Sequence, residues 1–77
     1  MKEIIYYGAD WCPDCQRTKS YLKNKEIEFK EIDVAQDDEA AETVQKINNG
    51  KRIIPTLVID GVPHANPSLQ ELAKIVA

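Results

Sequence analysis

The sequence predicts an α/β fold, a four-stranded mixed sheet flanked by helices, with its elements in the order βαβαββα. Three observations carry this. Short β-branched and aromatic runs alternate with stretches whose apolar residues recur at helical spacing. An Asp60-Gly61 pair separates two strand-like runs, a strong hairpin signal. The only two cysteines, Cys12 and Cys15, form a C-x-x-C pair where the first strand-like run gives way to a helical pattern.

Taken in order, Lys2 to Tyr7 reads as a strand buried on both faces and therefore central in the sheet. Gly8 to Trp11 is the turn out of it. Pro13 suits the first position of a helix, where its missing N–H would have been unpaired anyway. That helix should run to about Lys25, with Cys15, Thr18 and Leu22 on one face and lysines in its last turns complementing the macrodipole. Glu28 to Asp33 is a less apolar strand suited to an edge, in which Phe29 and Ile32 fall out of period-2 phase. Asp37, Asp38 and Glu39 open a second helix carrying Ala40, Val44 and Ile47, which ends at Asn48-Asn49 with Gly50 as its cap.

Thr56 to Ile59 is a buried strand, and Val62 to Ala65 is its return, confined to an edge by Pro63. Asn66 as N-cap and Pro67 at the first position would open a last helix, with Leu69, Leu72, Ala73 and Val76 facing inward. Ser68 with Glu71 offers a rival capping box two residues on. A right-handed crossover makes the first two strands parallel, and the first strand delivers the cysteine pair to its C-terminal edge, where ligand sites of such sheets sit.

A chain of 77 residues, without repeats or linkers, is expected to form one domain over residues 1–77, acting as a monomer. Its formal charge of −3 and scattered basic residues argue against nucleic acid as a partner. No signal peptide is evident, and no apolar run nears the roughly 20 residues that span a bilayer, so a cytoplasmic location with no membrane partner is expected. In that reducing setting a bridge between Cys12 and Cys15 is expected to be catalytic rather than structural. A zinc site would need four ligands, and only His64 remains as a usual third, so no metal is expected.

The reactive form of cysteine is the thiolate, and helix N-termini stabilise it. Cys12 at the N-cap is thus expected to be the attacking nucleophile and Cys15, one turn on, the resolving thiol. Asp14 between them opposes thiolate formation unless it points to solvent. Trp11, in a turn beside the nucleophile, reads as a substrate contact, and His64 as a hairpin histidine.

Trp11-Cys12-Pro13-Asp14-Cys15 near one end and Ile53-Ile54-Pro55-Thr56 some forty residues later resemble the glutaredoxins of the thioredoxin fold over the whole length. The stretch Asn49 to Leu57, with Asp60-Gly61 and Ala65-Asn66-Pro67-Ser68, is similar to the mycoredoxin-type glutaredoxins. This resemblance implies a cis peptide at Ile54-Pro55 facing Cys12, with the Ile54 backbone free to pair with a bound peptide or thiol. It implies that Arg52, or Lys51, holds a carboxylate. Pro13, Asn66 and Ser68 join the expected substrate contacts, although Ala65-Asn66 and Pro67-Ser68 stand where many glutathione-binding relatives have Gly-Gly and acidic residues.

The implied activity is reduction of protein disulfides and mixed disulfides, with no tightly bound cofactor. The implied co-substrate is a low-molecular-weight thiol: glutathione, mycothiol or bacillithiol. One alternative draws electrons from a thioredoxin reductase, as in redoxins that donate to ribonucleotide reductase. Another, from a different class, is a non-enzymatic module holding an iron–sulfur cluster or a protein partner.

Overall fold

The structure is a computed structural model and describes residues 3–76. Seven elements follow in the expected order: β1 (Ile4–Gly8), α1 (Pro13–Asn24), β2 (Lys30–Asp33), α2 (Asp38–Ile47), β3 (Thr56–Ile59), β4 (Val62–Ala65) and α3 (Leu69–Val76). Lys2, assigned by its sequence to the first strand, lies outside the described residues. The strands form one sheet in the order β2-β1-β3-β4. β1 runs parallel to β2 and antiparallel to β3, and β3 pairs antiparallel with β4. The two apolar strands are therefore central, and the polar strand and the Pro63 strand form the edges, as their sequences require.

Alternation along β1 feeds two separate cores. Ile4 and Tyr6, opposite Ile59 and Leu57, pack with Cys15 and Leu22 of α1 and Leu72 of α3. Ile5 and Tyr7, opposite Val58 and Thr56, face Val34 and the α2 residues Ala40 and Val44. Leu22, Leu57 and Leu72 are fully buried, and each contributes about 1.5–3 kcal/mol of transfer free energy. The apparent phase error of Phe29 and Ile32 has a simple cause. Phe29 precedes β2 and packs edge-on against Tyr6, ring centroids 5.7 Å apart, whereas Ile32 joins the cluster under α2. A sheet covered on both faces can use apolar residues of either parity.

Several boundaries differ from expectation. β1 runs on into Gly8, and β2 begins at Lys30 rather than Glu28. α2 is capped at Asn48, and its first left-handed residue is Asn49 (φ 57°) rather than the glycine. Gly50 (φ 89°) follows, and its N–H returns to the Gln45 carbonyl at 2.6 Å, the long bond of a Schellman motif. α1 ends the same way, with Glu26 left-handed and the Ile27 N–H on the Leu22 carbonyl at 2.9 Å. In the β3–β4 hairpin Asp60 (φ 51°) and Gly61 (φ 84°) both take positive φ, the type I′ geometry that matches strand twist.

The largest correction concerns α3. Asn66 is not its N-cap, because Asn66 is left-handed (φ 44°) and its N–H is bound to the Pro55 carbonyl at 2.7 Å. The rival box forms instead: Ser68 Oγ accepts the Glu71 N–H at 3.1 Å, and Glu71 Oε1 accepts the Ser68 N–H at 3.3 Å. Pro67 accordingly precedes the helix. Leu69, at its first position, is exposed rather than inward.

Candidate active site

Cys12 is the N-cap of α1, with extended backbone (φ −88°, ψ 116°). Its Sγ accepts the Cys15 N–H at 3.2 Å. Pro13 at the first helical position has no N–H to offer, so the third position supplies the capping donor. The Cys12 N–H is itself tied to the Ala9 carbonyl at 3.3 Å, which fixes the sulfur over the helix end. Both cysteines are free. They differ in access: Cys12 retains 7% of its surface and Cys15 none. Burial pushes the Cys15 thiol up to about 11, and its hydrogen bond with the Cys12 sulfur acts in the same direction. A backbone hydrogen bond from Ala9 and the Tyr6 hydroxyl pull it partly back.

The peptide bond Ile54-Pro55 is cis. Ile54 turns its carbonyl toward Cys12, 4.0 Å from Sγ, within reach of a weak S–H donor. Pro55 is buried, and the loop that carries it is pinned from behind. Thr56 Oγ1 donates to the Ile53 carbonyl at 2.6 Å and accepts from Asn48 Nδ2 at 3.2 Å; the same Asn48 amide donates to the Val44 carbonyl at 2.9 Å. The C-terminus of α2 thereby anchors the wall opposite Cys12.

Asn66 closes a third side. Its backbone holds Pro55, as described, and its Nδ2 donates to Asp14 Oδ2 at 3.4 Å. Asp14 Oδ1 pairs with Arg17 at 3.2 Å. The negative charge inside the cysteine pair is thus turned along the helix surface toward a cation and an amide, not toward the Cys12 sulfur. Asp14, Arg17, Thr18, Asn66, Ser68 and Glu71 lie around a small cavity of about 250 Å³ between α1 and the start of α3. A larger groove, about 780 Å³, lies at the opposite end of β1 between Glu3, Ile27, Phe29 and Val76.

Hydrogen bonds thus link the segments that carry Cys12, Cys15, Ile54, Pro55 and Asn66 into one cluster. Ser68 borders it but spends its hydroxyl on capping α3. Trp11 is 70% exposed next to Cys12, and Pro13 is exposed. Arg52 is exposed. Its Nη2 donates to the Val34 carbonyl at 3.4 Å, and Val34 in turn bonds the Gly8 carbonyl at the end of β1. Lys51 is exposed.

The glutaredoxin family model matches residues 4–64, from the start of β1 into β4, and so includes both cysteines and Ile54-Pro55. The chain belongs to the glutaredoxin family. Mycoredoxin 1 of Corynebacterium glutamicum is 42% identical to this glutaredoxin over 79 residues, covering 100% of this chain and 98% of the relative. The crystal structure of a glutaredoxin from Archaeoglobus fulgidus superposes with a TM-score of 0.81 at 26% identity, over 99% of this chain and 87% of that one. NrdH-redoxin from Escherichia coli, a glutaredoxin-like protein with a thioredoxin-like activity profile, superposes at 0.71 with 27% identity, over 82% and 80% of the two chains.

Sequence reasoning about this glutaredoxin missed four residues that shape the site. Tyr6 lies under α1, its hydroxyl on the Cys15 carbonyl at 3.1 Å. Asn48 and Thr56 hold the Pro55 loop, and Arg17 diverts Asp14. Tyr6 read only as one more apolar residue in a strand. The nearest signal was Gly8 two positions on, on the same face, where a Cβ would sit 2.5 Å from the Tyr6 hydroxyl oxygen.

Proposed function

We propose that this glutaredoxin is a thiol–disulfide oxidoreductase in which Cys12 is the nucleophile and Cys15 the resolving thiol. The observation that carries the reading is the asymmetry of the pair. Cys12 Sγ sits at a helix N-terminus on the Cys15 N–H and keeps a small opening to solvent, while Cys15 is sealed beneath it with its proton held by burial.

In the first step the Cys12 thiolate attacks a disulfide R–S–S–R′, forming Cys12–S–S–R and releasing R′–S⁻. In the second, Cys15 gives up its proton and attacks Cys12 Sγ; the Cys12–Cys15 bond forms and R–S⁻ leaves. Two equivalents of a small thiol, or one dithiol reductase, return the pair to the reduced state. Trp11, Pro13 and the Ile54-Pro55 backbone flank the entering disulfide, where an extended substrate can add along the Ile54 strand edge. Asn66 and Ser68 bound the cavity on one side, and Arg52 supplies a positive charge for a carboxylate.

The co-substrate is a low-molecular-weight thiol, with glutathione, mycothiol and bacillithiol the candidates, and no tightly bound cofactor takes part. The likeness to mycoredoxin 1 over the full chain favours this source of electrons. The likeness to NrdH-redoxin, with its thioredoxin-like profile, favours the second reading, reduction by a thioredoxin reductase.

A coupled assay with each reductant against one mixed-disulfide substrate separates them. Cys12→Ser is expected to lose all activity. Cys15→Ser is expected to keep activity on small mixed disulfides if a monothiol reductant serves, and to lose it if only the reductase does. Full activity in Cys12→Ser would refute the assignment of the nucleophile.

A further inference from the structure

Tyr6 carries a buried hydroxyl that the packing of the core does not require. The residue is 2% exposed, on the face of β1 covered by α1 and α3, with Phe29 against its ring edge. A phenylalanine would fill that space equally well. The hydroxyl lies 3.1 Å from the Cys15 carbonyl, but α-helical pairing already gives that carbonyl a donor from the next turn. Room for the ring is provided by Gly8, since any Cβ there would collide with the hydroxyl end of Tyr6.

We propose that Tyr6 is a further catalytic residue in the resolution step, its hydroxyl turning from the Cys15 carbonyl to donate to Cys15 Sγ as that sulfur becomes a thiolate. The inference rests on the oxidoreductase reading and deepens it. Cys15 has no exposed surface, so water cannot solvate the charge that must develop on it. The side-chain hydroxyl beneath it supplies a donor in the same core. Its pKa is raised well above that of an ordinary tyrosine, by burial first and then by Cys15, so it stays protonated and acts as a donor and not as a base. The charged and titratable groups around the pair are Cys12 from the cap of α1 and Glu31 from β2, the latter engaged by Lys19 at 2.8 Å.

In the step itself the Cys15–Cys12 sulfur bond forms, the bond from Cys12 to the substrate sulfur breaks, and the Cys15 proton goes to solvent or to the departing thiolate. No further oxidant is needed, because the mixed disulfide is the oxidant.

An aromatic disulfide whose thiolate absorbs visible light resolves the two steps in one trace: a first release for Cys12 attack and a second for Cys15 resolution. In Tyr6→Phe the first phase is expected to be unchanged. The second is expected to slow about tenfold or more, as for loss of one hydrogen bond to a charged group, with its pH profile displaced to higher pH. A second phase with wild-type rate and pH profile would overturn the inference. Should Tyr6→Phe fail to fold, Gly8→Ala gives an independent test, since its methyl group forces the hydroxyl off Cys15. It too is expected to slow only the second phase, and an unchanged second phase there counts equally against the proposal. Absence of the first phase in the wild type would instead defeat the oxidoreductase reading, and this inference with it.

Discussion

Cys12 and Cys15 are chemically identical side chains one helical turn apart, and their difference comes wholly from what surrounds them. The first caps α1 and keeps a small opening to solvent; the second points into the core with Tyr6, Leu22 and Leu72. Alkylation rates report this directly. With one equivalent of iodoacetamide, the reduced, folded protein is expected to take label on Cys12 alone, and Cys15 is expected to react only after denaturation. Peptide mapping that found equal label on both in the folded state would contradict the assigned geometry. The placement of the two cysteines at a helix start was legible in the sequence, because their spacing and Pro13 together specify one. Tyr6 was not, because an aromatic residue in a strand shows the same hydrophobic pattern whether or not its hydroxyl is used.

At the scale of elements, the sequence left two starts for α3 in competition. Asn66-Pro67 is a good local N-cap signal, and Ser68-x-x-Glu71 is another. The tertiary structure recruits Asn66 for a different task, binding Pro55 through its backbone and Asp14 through its side chain, and that leaves Ser68 to cap the helix. Ser68→Ala is therefore expected to cost about 1 kcal/mol of folding stability, read as a lowered urea midpoint with unchanged slope. An unaltered midpoint would place the cap elsewhere. β2 teaches a related lesson. The positions of Phe29 and Ile32 were ambiguous only under the assumption of a single buried face, and helices on both sides of the sheet remove it.

At the scale of the whole molecule, the shifted groups among the described residues all point to alkaline sensitivity. Cys15 rises from an ordinary 9.0 to about 11, and Tyr6 and Lys19 also shift upward. Burial is the main cause for Cys15 and Tyr6; for Lys19 it is the hydrogen bond to Glu31. For each of them the folded state binds its proton more tightly than the unfolded state. Their contribution is complete below the unfolded pKa and is lost as pH rises through the folded one. For Cys15 the window runs from pH 9 to about 11. At about 1.4 kcal/mol per pKa unit the loss is on the order of 3 kcal/mol. Denaturant titrations of the reduced protein are expected to show stability falling from pH 9, and Cys15→Ser to lack the part that begins there. A reduced wild-type protein as stable at pH 11 as at pH 8 would contradict the burial of that thiol.

The order of elements, the central and edge strands, the hairpin, and the cysteine pair at a helix start were determined by the sequence alone. Each depends on interactions within a few residues or on a hydrophobic period that any fold must respect. Only the tertiary structure decided which cap opens α3, where Asp14 directs its charge, what holds the Pro55 loop, and what lies beneath Cys15. Those outcomes depend on partners far apart in the chain, such as Asn66 with Asp14, Asn48 with Thr56, and Tyr6 with Cys15. A polar side chain has several possible partners, and the sequence does not say which one packing will bring within reach.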